Sequence, residues 1–397
     1  MKATLGALAL GASLALLAGG AEAASVTAAP VVPSYGQDVD VALNGTTWPV
    51  YLRTTRYTRN GNAFTIDYEF IQDGFGPGRP DFGYPQVNLG ELAPGNYTVT
   101  ARVIDIDNPG NITTVAQTNV PVVPPDDYGV YPVPSAPRAN DKVQVLVRSA
   151  AYFDPKTLHA TVTGNAIRVD FLYHTTAPGA TSGPSGMTTF ASVDVGRLAS
   201  GSYHVEGWAA PDTGGNAALY FTRDFAVDHT STVVEYYHED LDHYFMTADG
   251  GEIDLVDSGA QGNWKRTGQG FHAWLTQADA PANAQPVCRF YAQGPNSHFY
   301  TGDPGECTYL RSLEQAQRAD AAAAGKQFLG WGYEGIAFYA LVPANGQCPS
   351  GTSPVWRSYN NRAAQGDSNH RFTVDPQQHA AMQLGWVDEG VAFCSPP

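Results

Sequence analysis

Three histidines in the last third of the chain are its first candidates for chemistry. His243, His298 and His370 are each followed by aromatic residues and a threonine. Three neutral imidazoles that converge on one point would suit Zn²⁺. However, no carboxylate stands at a fixed spacing beside them, and residues that recur in repeat proteins usually serve packing. We therefore expect each histidine to order a turn and stack on the tryptophan of its repeat, and we predict no metal site.

Carboxylates offer a second possible chemistry. Glu334 and Glu389 could form the acid pair of a glycoside hydrolase. Both occupy the same place in a recurring motif, however, and an active site normally breaks the symmetry of a repeat. His238 and Glu239, followed by His243, come close to the zinc-protease motif, but the two histidines are five residues apart and would not share a helix face. No serine-hydrolase, phosphate-binding or dinucleotide-binding motif occurs, so we predict no catalytic residue and no enzyme.

These candidates belong to a pattern that occurs three times after residue 232. Each copy has a tyrosine-bearing strand and then a histidine and a threonine; it closes with tryptophan, two residues, glutamate or threonine, glycine, two residues and phenylalanine. The signature residues, structural or ligand-binding, are Tyr237, His243, Thr247, Trp264, Gly268 and Phe271, then Tyr291, His298, Thr301, Trp331, Glu334, Gly335 and Phe338, then Tyr359, His370, Thr373, Trp386, Glu389, Gly390 and Phe393. The spacing from tryptophan to phenylalanine is identical in all three copies, so the copies are related.

Each copy can also hold a short helix between its threonine and its tryptophan. Asp303 before Pro304, and Asp375 before Pro376, are an N-cap followed by proline at the first helical position. The predicted unit is therefore strand, strand, helix, strand. One such unit cannot bury its aromatic face, so three should pack around a pseudo-threefold axis. The first copy departs from the pattern, because Thr267 stands where the other copies have glutamate.

All four cysteines lie in this last third of the chain. An even number in an exported protein indicates two disulfides, and four cysteines allow three pairings. The register of the repeats favours Cys288–Cys307 within the second copy and Cys348–Cys394 closing the third. The spacings are wide and no C-x-x-C pair occurs, so neither a zinc site nor a thiol nucleophile is supported.

The pattern Y…H-F-Y-T…W-x-x-E-G-x-A-F resembles a C-terminal repeat domain of unknown function found in secreted bacterial and fungal proteins. The resemblance covers roughly residues 233–394. In that family the module often accompanies hydrolase domains, which implies an accessory role. No hydrolase domain precedes it in this chain.

The chain before the repeats also duplicates itself once. Val87 to Val99 matches Val193 to Val205, and Gly61 to Tyr68 matches Gly164 to Phe171 in the same order. In each copy a tyrosine follows a glycine turn at the start of an alternating strand. This resembles the tyrosine corner of immunoglobulin-like sandwiches, in which the hydroxyl bonds back across the loop. We predict two bacterial immunoglobulin-like domains of about 100 residues each, acting as spacers or adhesive modules.

One loop in the first duplicate suggests a cofactor. Asp105 and Asp107 look like the start of a calcium loop, but Ala116 stands where an EF-hand has its bidentate glutamate. A hairpin turn rich in Asp, Asn, Gly and Pro also accounts for the loop. We therefore predict no cofactor, with calcium at Asp105 and Asp107 as the alternative.

The first residues predict export. Lys2 precedes an uncharged run from Ala3 to Ala18, and Ala21-Glu22-Ala23 has the small-x-small pattern of a cleavage site. We predict a signal peptide cleaved near Ala23–Ala24 and a secreted protein, extracellular or periplasmic. No later stretch is long and apolar enough to span a bilayer. The formal net charge of −16, with no basic block, argues against nucleic acid as a partner.

The predicted fold class is multidomain and mainly β: a signal peptide (1–24), two immunoglobulin-like β-sandwiches (25–125 and 126–229) and an α+β domain of three strand-strand-helix-strand repeats (233–397). Because tyrosine and tryptophan can stack on sugar rings, the leading hypothesis is a secreted, non-enzymatic binding or adhesion module with a glycan or cell-wall ligand. Coplanar exposed rings would favour it. An apolar patch on a sandwich edge would favour a structural or adhesive protein with protein partners. A cleft with His and Glu of shifted pKa would favour a hydrolase with its site in the repeat domain.

Overall fold

The computed structural model describes residues 24–45, 50–70, 82–83, 85–175 and 185–397. Apart from Ala24, the predicted signal peptide lies outside these residues. The described chain is mainly β, with several sheets and three α-helices. None of these helices is long and apolar enough to cross a membrane.

The first unit, residues 25–122, has nine strands among its described residues. They are β1 (Ser25–Ala29), β2 (Asp38–Asn44), β3 (Val50–Tyr51), β4 (Arg56–Asn60), β5 (Ala63–Phe70), β6 (Phe82–Gly83), β7 (Gln86–Glu91), β8 (Gly95–Asp105) and β9 (Asn108–Val122). One sheet has the order β1-β2-β7; in the other, β4, β5, β8 and β9 lie side by side, with β5 parallel to β8. Alternate residues of both sheets share one core, which contains Val41 and Val87 from the first and Ile66 and Val99 from the second.

The second unit, residues 129–227, repeats this arrangement. Its elements are β10 (Gly129–Val133), β11 (Lys142–Phe153), a 3-10 turn (Pro155–Thr157), β12 (His159–Thr163), β13 (Ala166–Tyr173), β14 (Thr188–Arg197), β15 (Gly201–Pro211) and β16 (Ala218–Val227). β11 pairs with β10 and β14 as β2 pairs with β1 and β7. β13 is parallel to β15, as β5 is to β8. The duplicated sequences thus have equivalent strand partners.

Both predicted tyrosine corners have their hydrogen bond. The Tyr97 hydroxyl donates to the Ala93 carbonyl oxygen at 2.8 Å. The Tyr203 hydroxyl donates to the Ala199 carbonyl oxygen at 3.1 Å. Each bond spans four residues and holds the turn against the strand that follows it.

The C-terminal unit, residues 230–395, has the order strand, strand, helix, strand in three successive segments. They are β17 (Thr230–His238), β18 (His243–Thr247), α1 (Gly250–Asp257) and β19 (Trp264–Trp274); β20 (Gln285–Ala292), β21 (Ser297–Thr301), α2 (Pro304–Ala323) and β22 (Trp331–Ala340); and β23 (Ser353–Tyr359), a 3-10 turn (Ala363–Gln365), β24 (His370–Thr373), α3 (Pro376–Met382) and β25 (Val387–Ser395). In each segment the first strand pairs with both others. The side chains of Asp249, Asp303 and Asp375 cap the three helices.

One core joins the three segments. The recurring phenylalanines, Phe271, Phe338 and Phe393, contact one another with ring centroids 5.8 to 6.2 Å apart. Corresponding residues from the first and second strands surround them, namely Val233, Val287, Val355, Met246, Tyr300 and Phe372. All of these side chains are buried.

Ion pairs also join the segments. In the second and third segments, an arginine on the first strand contacts the signature glutamate of its own segment and a glutamate on the helix of the preceding one. These pairs are Arg289 with Glu334 and Glu252, and Arg357 with Glu389 and Glu306. The signature glutamates therefore belong to the contacts that hold neighbouring segments together.

The contact between the first and third segments uses the opposite charge arrangement. Glu235 stands at the position of those arginines and accepts hydrogen bonds from Arg371 of β24 at 2.8 and 3.0 Å. The Thr267 hydroxyl donates to the same carboxylate at 2.8 Å. A glutamate in place of Thr267 would repel Glu235, which accounts for the departure of the first copy from the pattern. With this pair, every segment is bonded to the other two.

The four cysteines form the two predicted disulfides. Cys288–Cys307 joins β20 to α2, and Cys348–Cys394 joins the loop before β23 to β25. Cys288 and Cys394 are buried, so the bonds belong to the packed interior of the unit.

The first unit packs back onto the C-terminal unit. β4 pairs with β19 where Tyr57 faces Arg266. Arg53 forms an ion pair with Asp242 at 2.8 Å. Arg56, which is fully buried, pairs with Glu69 of the first unit and with Glu239 of the C-terminal unit.

The second unit contacts both of its neighbours. The Asn140 side chain donates to the Ala248 carbonyl oxygen at 2.8 Å, and Arg197 pairs with Asp254 of α1 at 2.7 Å. Glu91 of the first unit accepts hydrogen bonds from the Ser135 hydroxyl and N–H at 2.7 and 2.8 Å. The three units therefore surround a common space.

Candidate functional site

The signature histidines do not form a common site but face different neighbouring segments. His298 contacts the ring of Phe245 in the first segment and His370 that of Phe299 in the second, both at 4.8 Å. His243 lies 2.6 Å from the Asp367 carboxylate of the third segment. Within the described residues, no group of three or more His, Cys, Asp or Glu side chains is arranged to hold a metal ion.

The histidines were expected to stack on the tryptophans of their repeats, but His298 and His370 contact tyrosines instead. His298 and His370 lie against Tyr291 and Tyr359 of their own segments, at 4.8 Å. The aromatic strand adjoins the histidine strand in register, and this pairing places the tyrosine rather than the tryptophan beside the imidazole. Burial, aided by the charge of Arg357, lowers the pKa of His370 to about 3.

Glu334 and Glu389 are each held within their own segment. Each contacts the arginine and the histidine of its own segment. Burial acts to raise the pKa of Glu334, but hydrogen bonds from His298 and Arg289 outweigh it and lower that pKa. For Glu389, burial dominates and raises the pKa.

The remaining signature residues have backbone and packing roles. The hydroxyls of Thr247, Thr301 and Thr373 each accept a hydrogen bond at 3.0 Å from the N–H of the helix-capping aspartate two residues later. Gly268, Gly335 and Gly390 have φ values of 79°, 122° and 81°, which L-residues rarely adopt. Trp264, Trp331 and Trp386 are half-buried against the rings of Phe245, Phe299 and Tyr244.

The predicted calcium loop is the turn between β8 and β9. The Asp105 carboxylate accepts a hydrogen bond from the Asp107 N–H at 3.1 Å, which closes the turn on itself. Asp105 is 8% exposed. The Asp105 side chain therefore takes part in the turn itself.

A cavity of about 1420 Å³ lies where the three units meet. A second cavity of about 500 Å³ continues it between the first unit and the C-terminal unit. Tyr57, Asn88, Arg266 and His272 line both of them. The walls thus come from parts of the chain that are more than 200 residues apart in sequence.

The cavity combines aromatic and charged side chains. Trp264 on β19 supplies a half-buried ring, whereas Tyr57 on the adjacent strand β4 is buried in the core of the first unit. Asp257 of α1 holds the Arg266 guanidinium through two hydrogen bonds of 2.7 and 2.9 Å. A hydrogen bond from Arg197 lowers the pKa of Asp254. The site is therefore polar, with fixed charges and aromatic surface together.

Among the signature residues, only those at the end of the first segment reach these cavities. Trp264 lines the larger cavity and Gly268 the smaller one, and Lys265 and Arg266 between them also contribute. A Cβ on Gly268 would lie 2.9 Å from a methyl group of Val87 on β7, so this glycine allows the first unit to dock. At the positions of Lys265 and Arg266 the other two copies have uncharged or acidic residues. This difference between the copies is the signal in the sequence that could have pointed to the site.

The C-terminal part of the chain matches a family model described as Domain of unknown function (DUF5648), over residues 202–317 and 232–396. The C-terminal region thus resembles a domain of unknown function. The two matches overlap, as expected for a sequence that repeats internally. No curated protein and no solved structure is significantly similar to the chain.

Proposed function

We propose that this protein is a secreted, non-enzymatic binding protein that holds an extracellular glycan in the cavity between its three units. The observation that carries the proposal is the half-buried ring of Trp264 beside polar side chains such as Asn88 and Asn140 in the lining of one cavity. Sugars present apolar C–H faces to aromatic rings and hydroxyl groups to polar side chains. The cavity offers both kinds of contact.

The same proposal includes the finer description of the fold. We propose two immunoglobulin-like sandwiches followed by a domain with pseudo-threefold symmetry. The two tyrosine corners and the repeated strand pairing support the sandwiches. The phenylalanine core and the contacts that bond each segment to the other two support the threefold arrangement.

The engagement of the carboxylates in the cavity supports binding rather than hydrolysis. Asp254 and Asp257 are paired with Arg197 and Arg266. Glu91 accepts two hydrogen bonds from Ser135. A glycosidase needs one carboxyl group that can protonate the leaving group and a second that can attack or activate water. Side chains already held by protein donors suit a rigid binding wall better.

Binding by the mature chain (residues 24–397) to peptidoglycan, chitin and cellulose tests the function. Trp264→Ala should weaken retention about tenfold or more, since a stacked ring is removed. The matched control is Trp331→Ala, which changes the equivalent tryptophan of the second segment, outside the cavity lining. Equal losses of retention in the two variants would contradict binding of the glycan in the cavity. No retention of the unmodified chain on any glycan would refute the function.

A second candidate function, adhesion to a protein partner, rests on exposed apolar side chains of the second unit. Leu172, Leu219 and Tyr220 are 41%, 46% and 53% exposed, and β16 is the last strand of its sheet. Exposed apolar groups at a sheet edge favour protein contacts. Leu219→Ser with Tyr220→Ser should abolish adhesion to a protein-coated surface while glycan binding persists. Adhesion that survives both changes would exclude this patch.

A further inference from the structure

We infer that the cavity binds an N-acetylated amino sugar, whose acetyl group lies in a cleft between β17 and α1. The inference rests on the proposed function, because it names the class of glycan bound in the same cavity. Three observations carry it: the side chains by which the first segment differs from the other two at this place, the apolar and hydroxyl groups that result, and the balance of charge in the cavity lining.

The three segments differ at one pair of equivalent positions, one on the first strand and one on the helix. The strand position is the one that pairs with the signature threonine. The helix position lies four residues after the capping aspartate. The pairs are Val234 and Ile253 in the first segment, Cys288 and Cys307 in the second, and Trp356 and His379 in the third.

In the second and third segments, the paired side chains fill the space between strand and helix. The disulfide of the second segment bridges the two elements. In the third segment the Trp356 indole stacks on the His379 ring, with centroids 4.9 Å apart and planes at 8°. Val234 and Ile253 are smaller than an indole and an imidazole in contact, and both line the larger cavity. The first segment therefore has a cleft at this place that opens to the cavity.

A hydroxyl group stands beside the two apolar side chains of the cleft. Thr232 precedes Val234 by two residues on β17, so both side chains project from the same face of the strand, and both line the cavity. The other two segments have Pro286 and Pro354 at the position of Thr232. The first segment thus combines branched apolar groups with a hydroxyl where neither of the other segments does.

An N-acetyl group has the chemistry that matches this cleft. Its methyl group is apolar and its carbonyl oxygen accepts hydrogen bonds. The methyl group can lie between Val234 and Ile253 while the Thr232 hydroxyl donates to the carbonyl oxygen. The half-buried Trp264 in the same lining offers a ring to the C–H face of the sugar. A sugar with a hydroxyl group in place of the acetamido group would place a polar group against apolar side chains, which costs free energy.

The charge of the lining favours an uncharged ligand. Arg197 and Arg266 pair with aspartates of the lining, and Arg138 and Lys265 pair with aspartates outside it. Two cations and three carboxylates of the lining form no ion pair with the residues that the structure describes, so the two signs nearly balance. These five residues are Arg59, Lys142, Asp38, Glu91 and Asp141.

The test compares soluble oligosaccharides of equal length and linkage by titration calorimetry with the mature chain. They carry N-acetyl groups, N-formyl groups, free amines or hydroxyl groups at the same ring position. The N-acetyl compound should bind roughly tenfold or more tightly than the amine and hydroxyl compounds. The N-formyl compound lacks only the methyl group and should bind about fourfold more weakly than the N-acetyl compound, as expected for one buried methyl group.

Variants assign this preference to the cleft. The double change Val234→Trp and Ile253→His introduces the pair of the third segment and should abolish the preference for the N-acetyl compound. Thr232→Val removes the hydroxyl and should lower the affinity for the N-acetyl compound several-fold. The matched control is Trp356→Val, which makes the reverse change in the third segment, outside the cavity lining, and should leave the preference intact.

Two results would overturn the acetyl cleft and leave the proposed function standing. One is equal affinity for the N-acetyl and hydroxyl compounds. The other is a preference that persists in the double variant, with its folding checked by circular dichroism. If the double variant does not fold, an unchanged affinity of Thr232→Val for the N-acetyl compound overturns the cleft instead. Binding to no glycan at all overturns both the cleft and the proposed function.

Discussion

The repeated threonines and glycines show how single residues act in the C-terminal unit. Thr301, for example, accepts a hydrogen bond from the N–H of Asp303, whose own side chain then caps α2. Gly390 adopts a left-handed backbone conformation with φ of 81°. Both roles depend on neighbours within a few residues. A signature residue of this kind recurs because the local turn requires it.

The buried pair of Glu235 and Arg371 should be the most costly one to break. Arg371→Met removes the partner of a carboxylate that is 4% exposed and leaves it with Thr267 alone. We expect a loss of about 3–5 kcal/mol in the free energy of unfolding, measured by chemical denaturation. The control is Arg168→Met, which breaks an exposed pair with Asp170 and should lower the free energy of unfolding far less. Similar losses in both would contradict the structure.

His370 should make the protein sensitive to mild acid. Its pKa falls from the ordinary value of 6.5 to about 3 in the folded state. The unfolded chain therefore binds a proton that the folded chain does not, and stability falls as the pH decreases from 6.5 towards 3 by up to about 1.4 kcal/mol per unit.

Denaturation of the unmodified chain and of His370→Gln at several pH values measures this effect. Between about pH 6.5 and pH 5, where most carboxylates stay ionised, the stability of the unmodified chain should fall more steeply than that of the variant. Parallel curves would show that His370 is protonated in the folded state as well. The comparison uses slopes because the substitution also removes contacts with Tyr359 and Phe299.

At the scale of elements, helices and disulfides secure the three segments. Each helix begins at an aspartate cap, and the two disulfides tie α2 and β25 to their own segments. Cys348–Cys394 spans 46 residues and Cys288–Cys307 spans 19. A longer loop loses more conformational freedom in the unfolded chain when it is closed.

Replacement of each cysteine pair by alanine tests this relation. Loss of Cys348–Cys394 should cost roughly 4 kcal/mol and loss of Cys288–Cys307 roughly 3 kcal/mol, on the loop-closure estimate. Thermal unfolding of the two double variants, with the disulfide-bonded unmodified chain as the reference, measures both. The opposite order of stabilities would mean that side-chain packing, not chain entropy, dominates the contribution of these bonds.

At the scale of the whole molecule, the cavity exists only because the first unit docks on the C-terminal unit. The strand pair β4–β19, the buried Arg56 and the Arg53–Asp242 pair hold the two units together. Glu91 and Ser135 link the first unit to the second. A ligand in the cavity would contact all three units and would therefore stabilise their arrangement.

Gly268→Ala should loosen this docking. The new Cβ would lie 2.9 Å from Val87. The φ angle of 79° would also strain the backbone of any residue other than glycine. Gly390→Ala is the matched control, because its φ is 81° and nothing lies within 4 Å of the added carbon. Both variants should lose about 1–3 kcal/mol from backbone strain. Only Gly268→Ala should speed hydrogen exchange in β4 and β7; equal exchange in the two variants would contradict the docking.

The sequence by itself determined the parts of this protein that depend on nearby or periodic residues. Asp-Pro pairs predicted helix starts, the spacing of the repeats predicted both disulfides, and the Gly-x-Tyr turns predicted hydrogen bonds that span four residues. In each case the partners are close in the chain or occupy matching places in a repeat. Such contacts can be read from a single sequence because chain geometry already limits the alternatives.

Only the tertiary structure explained why a threonine stands at position 267, which partners the histidines have and where the candidate site lies. Glu235 and Arg371 are 136 residues apart, and the two strands that bring Tyr57 beside Arg266 belong to different units. Packing selects one such long-range pairing among many that local preferences allow equally. Trp264 therefore shares a motif with Trp331 and Trp386 in the sequence, whereas only the folded chain distinguishes it as a wall of the cavity.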